Sequence, residues 1–423
     1  MINRRTALKT MGLATAAAVA GGVAVNDWPP QPTDQLYSFW GEHQAGILTP
    51  PNQAVLLVAL EVLVTDRPAL TRLCQNLTTQ IQTLMAGLAP DTVTQTPNFP
   101  PSDTGEIGFD PLKDGHLLIT LGVGAALFVT TNGQDRFGLA AHKPIALKPM
   151  PVDLPGDQLN SALLGGDLFL QISSDHPLLN LHAVRAILRA TKGQLNPLWL
   201  QPGFQRFVEA APHEANARGL FGFKDGMANP DPNDPQLMAK LVWSGSEEPT
   251  WAQGGTYLAV RLIREQLEQW DKLALAQQET VIGRHKTSGV VIGQTQESQS
   301  FNYSSDLDGQ KVALNSHIRK ANPRLGVESE QRRMLRRGYL YFNGLDRAGL
   351  LDAGMLFMAF CRNLEAQFEY VKRQYMSNSN FPKPETGQQS LDEFMACIGG
   401  GYFFVLPGVP SPDRFLADAL LLG

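Results

Sequence analysis

The apolar run at 54–64, dense in Val, Leu and Ala, is followed directly by a segment in which Leu70, Leu73, Leu77, Ile81 and Leu84 recur at three- and four-residue spacing. A strand-like run thus gives way to a helical period, which predicts a strand and then a helix over 69–88. Apolar runs at 117–129 and 166–173 predict two further strands, and 182–190 a second helix. The order strand, helix, strand, strand, helix is what a ferredoxin-like α+β unit produces. A second series follows, with strands expected at 256–263, 338–342 and 355–360 and helices at 265–275 and 365–375. Two such units in tandem fit a chain of 423 residues, which is long enough to bury two sizeable cores. The expected boundary lies between about 205 and 220, giving domains at 39–212 and 213–423, and the Gly-, Gln- and Ser-rich stretch 287–303 is expected to be a loop.

Charged residues are 18% of the chain and hydrophobic ones 43%, the balance of a globular protein rather than a disordered one. A net charge of −5 gives no electrostatic footprint for nucleic acid, so nucleic acid is not an expected partner. Cys74, Cys361 and Cys397 are too few and too far apart for a structural zinc site, and no C-x-x-C-H exists for covalent haem attachment. They are expected to be small buried hydrophobes.

Residues 1–25 read as a targeting segment, with Arg4 and Arg5 ahead of a mildly apolar, Ala- and Gly-rich run. The run is too short for a bilayer span. Paired arginines before a weak apolar stretch fit a twin-arginine export signal, with an ordinary secretory signal as the alternative. A Pro-rich spacer, 26–38, separates it from the first domain, and export predicts a periplasmic protein.

Nucleophile-elbow, P-loop and H-E-x-x-H patterns are all absent. One unusual cluster remains at 219–230, where Asp225 sits between glycines and a turn ends at Pro230. Glycine beside a carboxylate lets the backbone approach a flat ligand closely, although an exposed Asp-Gly turn has the same spelling. A second cluster is Ser316-His317-Ile318-Arg319-Lys320-Ala321-Asn322-Pro323-Arg324, with Arg336-Arg337-Gly338-Tyr339 downstream. One imidazole cannot hold a bare metal ion, but it can complete the coordination of haem iron while arginines pair the propionates. A satisfied structural histidine is the alternative.

Together these clusters resemble the dye-decolourising (DyP-type) haem peroxidases. Gly222-Phe223-Lys224-Asp225-Gly226 matches the G-x-x-D-G motif of that family, His317 with Asn322-Pro323-Arg324 resembles its proximal-histidine segment, and 334–339 resembles its distal-arginine segment. Further similarity at 41–47, 166–171, 283–286 and 398–404 extends it along most of the chain and favours the exported deferrochelatase/peroxidase branch.

The resemblance implies two ferredoxin-like units of the dimeric α+β barrel type packed by their sheets, with one non-covalent haem b in the C-terminal unit. It implies His317 as iron ligand, Asp225 as distal acid/base and Arg336 as electrostatic stabiliser. Gly226, Met227 and Ala228 would lie against the porphyrin, with Asn322, Pro323 and Arg324 near its edge and proximal side. The interval from His317 to Arg336 leaves Arg337 as an alternative for the distal role. Asn363 stands where relatives of this branch carry Asp, which leaves open whether it or Glu365 accepts the hydrogen bond from His317. Hydrogen peroxide and an organic or haem-type substrate are the expected small-molecule partners, with Trp243, Tyr257, Trp270 and Tyr303 as candidate electron relays. His43, His176 and His285 are expected to be structural or at the surface. Homo-oligomerisation and iron-uptake partners complete the expectation. The reading from another class is a periplasmic haem- or iron-handling protein with incidental peroxidase activity.

Overall fold

The computed structural model describes residues 36–87, 98, 100–101, 103–108, 116–205, 217–297 and 301–423. The expected signal segment, most of the spacer and the expected boundary at 212/213 lie outside the described residues. Among the described residues, no helix is long and apolar enough to cross a membrane.

Eight strands of the described residues form one closed antiparallel barrel: β1 (Ala54–Val62), β2 (Leu118–Gly124), β3 (Leu168–Ser174), β4 (Leu195–Phe204), β5 (Thr256–Glu265), β6 (Leu335–Leu345), β7 (Leu351–Cys361) and β8 (Met395–Val405). Their order around the barrel is β1-β3-β2-β8-β5-β7-β6-β4. The first four strands therefore run fourth, first, third, second, and the last four do the same. This is the ferredoxin-like order twice over. The two sheets face each other and also join at their edges, through β2 with β8 and through a single pair, Phe204 with Leu340, between β4 and β6. Closure removes the free edges that an open sheet must protect.

Both faces of β1 are buried, which is why its sequence is continuously apolar rather than alternating. Leu56, Val58, Leu60 and Val62 pack under helices, whereas Val55, Leu57 and Ala59 enter the barrel interior beside Phe169 and Phe403, whose rings stack at 4.5 Å. Helix α1 (Arg67–Met85) covers the outer face with buried Leu70, Leu73, Leu77 and Ile81, each stabilising the fold by about 1.5–3 kcal/mol. Asp66 caps it by accepting from the Ala69 amide at 2.8 Å. A second helix, Pro177–Ala190, completes this layer.

Several elements differ from the sequence expectation. The apolar run after residue 117 leaves the sheet at Gly124 and coils into a short helix, Ala125–Phe128, because an apolar run does not itself distinguish a strand from a buried helix. The expected helix 265–275 is two short ones, Leu267–Trp270 and Leu275–Ile282. The expected helix 365–375 is π-helical, through Leu364–Glu369 and Val371–Met376. Strands β4 and β8 have no counterpart in the strand expectations. Pro197 and Pro202 interrupt the first, which tolerates them because it pairs with β6 at one residue only.

In the C-terminal sheet the same alternation sends Leu258, Val260, Leu262, Tyr339, Tyr341, Leu356, Met358 and Phe360 into the barrel. Its outer face lies under a crossover from β5 to β6 whose described residues form short helices. A cavity forms there.

Candidate active site

The cavity has a volume of about 290 Å³, and its floor is the outer face of the C-terminal sheet. Arg261, Ile263 and Glu265 reach it from β5, Met355 and Phe357 from β7, and Arg336 from β6. Successive residues of a strand point to opposite faces, and this separates Arg336 from Arg337. Arg337 is buried on the other face and donates to the carbonyls of Ile47 and Thr49, so it ties the segment before β1 to the barrel. Arg336 faces the cavity.

Asp225 is carried by the loop 217–230. Its amide donates to the Ala217 carbonyl at 2.8 Å, and Arg218 donates to the carbonyls of Gly222 and Lys286. Asp225 Oδ1 accepts from the Gly226 amide at 2.7 Å, and Gly226 adopts φ 73°, which favours glycine. The loop is then locked to β6. The Asn229 side chain accepts from the Arg336 amide at 2.9 Å and donates to the Arg336 carbonyl at 2.8 Å, while the Arg336 guanidinium donates to the Met227 carbonyl at 2.7 Å. A Cβ at Gly338 would lie 2.7 Å from Asp225 Oδ2, so the strand admits this carboxylate only because residue 338 has no side chain.

His317 begins the short helix His317–Ala321 and lines the cavity. Its Nδ1 is 3.1 Å from Gln389 Oε1, and Gln389 Nε2 donates to Asp392 at 2.6 Å. Asp392 also holds Lys372 at 3.2 Å. Because a carboxylate cannot donate, Gln389 must turn its NH₂ to Asp392 and its oxygen to His317, which makes Nδ1 the protonated nitrogen and leaves Nε2 with a free lone pair. Burial lowers the His317 pKa, which favours the neutral ring a metal requires. Asn363 and Glu365 have other duties: Asn363 accepts from the Ala366 amide, and Glu365 pairs with Lys148 at 2.6 Å.

Gly226, Met227, Ala228, Asn322, Pro323 and Arg324 all line this cavity with Asp225, His317 and Arg336. Sequence reasoning missed Glu265, Gln389, Asn229 and Arg284. The last lies in the similar segment 283–286, and it lines the cavity and donates to the Gly289 carbonyl at 2.8 Å. Burial lowers the pKa of both Arg284 and Arg336, although a guanidinium stays charged. The four relay candidates are all buried. Trp243 stacks on His43 at 3.6 Å, Tyr257 bonds Glu248, Trp270 packs between Phe221 and Phe394, and Tyr303 lies beneath Arg319. His285 pairs with Glu279, and His176 precedes the helix Pro177–Ala190. The three cysteines are buried and unpaired.

The donor set fits a flat, anionic metal complex. Arg284, Arg324, Arg332, Arg333 and Arg336 line the cavity against few carboxylates, beside apolar surface from Met227, Met355 and Phe357. Arg324 Nε, Asn322 Oδ1 and Ser316 Oγ are buried with no hydrogen-bond partner among the described residues. A single neutral imidazole suits a metal whose remaining ligands come from the cofactor.

The family models described as Dyp-type peroxidase, N-terminal and C-terminal, match residues 44–205 and 216–410. The chain is 40% identical over 435 residues to the deferrochelatase of Escherichia coli strain K12, covering 99% of this chain and 97% of the relative. The Shigella flexneri serotype 5b deferrochelatase is likewise 40% identical, over 433 residues, with the same coverage. A DyP-type peroxidase from Cellulomonas bogoriensis superposes with a TM-score of 0.78 at 30% identity, covering 93% of this chain and 100% of that one. Ferric DtpA from Streptomyces lividans gives 0.77 at 29%, covering 92% and 98%. With both halves matched and the cavity built as described, the chain belongs to the Dyp-type peroxidase family.

Proposed function

We propose that this enzyme reduces hydrogen peroxide at a haem b held by His317 and draws electrons from an organic or haem-type donor. The observation that carries the reading is His317 with Nδ1 fixed by Gln389, in the same cavity as Asp225 and Arg336. His317 Nε2 would hold the iron, and Arg324 with Arg284 would pair the propionates. When bound, haem supplies the iron centre at which peroxide is taken up and electrons are exchanged. Asp225, anchored by the Gly226 amide, accepts a proton from peroxide and returns it to the departing oxygen. Arg336 holds a fixed positive charge where negative charge develops as the O–O bond breaks. Asn229 keeps these two groups in register by clamping the loop to β6.

The 40% identity to curated deferrochelatases supports a second activity, release of iron from haem. Twin-arginine export through Arg4 and Arg5, a periplasmic location, iron-uptake partners and homo-oligomeric assembly belong to the same reading. So does the division into domains at 39–212 and 213–423. The deciding experiment is haem loading. The wild-type holoprotein should show a Soret band that His317→Ala weakens or abolishes, and normal haem content with an unchanged axial-ligand spectrum in that variant would overturn the assignment.

A further inference from the structure

Glu265 ends β5 with its side chain on the cavity face, 2% exposed, and its Oε2 has no hydrogen-bond partner among the described residues. Among the described residues, no cation pairs with it. Its chain neighbour Arg264 is engaged with Asp346 at 2.6 Å. Across β8 it faces Met395, and the cavity wall beside it carries Ile263 and Met355. Among the described residues, the titratable groups around it are Asp225 from the loop 217–230 and Tyr341 from β6, whose buried hydroxyl likewise has no partner there. An unpaired carboxylate in such a place is costly, whereas a neutral carboxylic acid beside an ionised one is a stable arrangement.

We propose that Glu265 is a protonated acid in the cavity wall near Asp225, and that it passes a proton by way of Asp225 to the oxygen that remains after the departing oxygen has left as water. The proposal rests on the peroxidase reading and deepens it. Reducing one peroxide to two waters consumes two protons with two electrons. In the step proposed, the Glu265 O–H bond breaks, its proton passes along water in the cavity, and an Asp225 O–H bond forms, leaving Glu265 as carboxylate until it takes a proton back from water. Burial, and then the charge of Asp225, push its pKa up to about 8, so the acid is loaded at neutral pH. Glu265 thus acts through Asp225 as a proton-supplying residue.

The test uses the haem-loaded enzyme and two donors of different chemistry. Ferrocyanide delivers electrons without protons, whereas hydroquinone delivers both. Glu265→Gln should lower steady-state turnover with ferrocyanide at least about tenfold more than turnover with hydroquinone. In the wild type, infrared spectra at pH 7 should contain a protonated-carboxyl C=O band that fades as pH rises through about 8. Glu265→Gln should remove the band, and Asp225→Asn should move its midpoint to lower pH. The wild-type and Asp225→Asn spectra carry the test should Glu265→Gln fail to fold. Equal slowing with both donors, or a wild-type spectrum without the band, overturns the role of Glu265 alone. A wild-type enzyme that turns over neither donor overturns the peroxidase reading and this inference with it.

Discussion

His317 Nδ1 meets the side-chain carbonyl of Gln389 at 3.1 Å, and the amide of that glutamine is held by Asp392 at 2.6 Å. The imidazole is therefore oriented by a neutral acceptor whose dipole is fixed by an ion behind it. Ligating histidines are set by such outer partners. Gln389→Leu should weaken haem retention about 10–100-fold, measured by transfer to apomyoglobin. Gln389→Glu should keep retention and lower the iron reduction potential, because a full negative charge then faces the Nδ1 proton. An unchanged potential in that variant would show that Gln389 does not tune the ligand.

Gly338 is required by Asp225 rather than by the turn of the chain. Its Cβ would stand 2.7 Å from Asp225 Oδ2, so Gly338→Ala must push the carboxylate aside. A displacement near 1 Å at a reacting group can cost about 10²-fold in rate. We expect Gly338→Ala to slow the stopped-flow reaction with peroxide by about that factor, with haem content preserved. A normal rate would mean that Asp225 is not held where the strand places it.

Glu265 makes stability depend on pH with a definite sign. Its folded pKa, about 8, lies above the ordinary carboxyl value, so between the two the folded state binds more protons than the unfolded state. Stability then falls as pH rises across that window and levels off above about 8. Glu265→Gln removes the dependence. Relative to this variant, the wild type should lose up to about 1.4 kcal/mol per pH unit between roughly pH 4.5 and 8, measured by urea unfolding. Parallel stability curves for the two proteins would show that Glu265 is not buried as an acid.

Much of the fold was legible because β1 and α1 obey single, strong periods, and their bounds differ from the expected ones by few residues. The doubled strand order was less so, since β4 carries two prolines and β8 carries Gly399, Gly400 and Gly401 in its middle, residues that do not favour a strand. At the site, Asp225 and His317 stood out by their neighbours, but Gln389 is 72 residues from His317 and nothing local marks it. Glu265 stands at the start of the expected helix 265–275, where an acidic residue is ordinary. Whether Arg336 or Arg337 faces the cavity is decided by strand register, which a run of two arginines does not reveal.

The N-terminal arginines offer a test independent of the site. Arg4→Lys with Arg5→Lys should leave the protein in the cytoplasm, because a paired-arginine address is read by a receptor. Folding and haem binding should be unaffected. Undiminished periplasmic accumulation, measured by fractionation, would support an ordinary secretory route instead.

The distal pair can be separated by what a small molecule is able to replace. In the proposed mechanism Asp225 moves a proton, so Asp225→Asn should slow the peroxide reaction by about 10²–10⁴-fold while leaving the cavity's shape intact. Arg336 contributes a charge fixed by burial and by its bond to the Met227 carbonyl, and Arg336→Leu should cost about 10²–10³-fold. Formate or acetate can enter a cavity of about 290 Å³ and carry protons in place of a carboxylate. No mobile cation reproduces a guanidinium held at one position. Added formate should therefore restore part of the rate in Asp225→Asn and none in Arg336→Leu, and the double variant should respond as Arg336→Leu does. Rescue of Arg336→Leu by formate would reassign Arg336 to the proton path, and unchanged rates in both single variants and the double variant would favour haem handling over peroxide reduction.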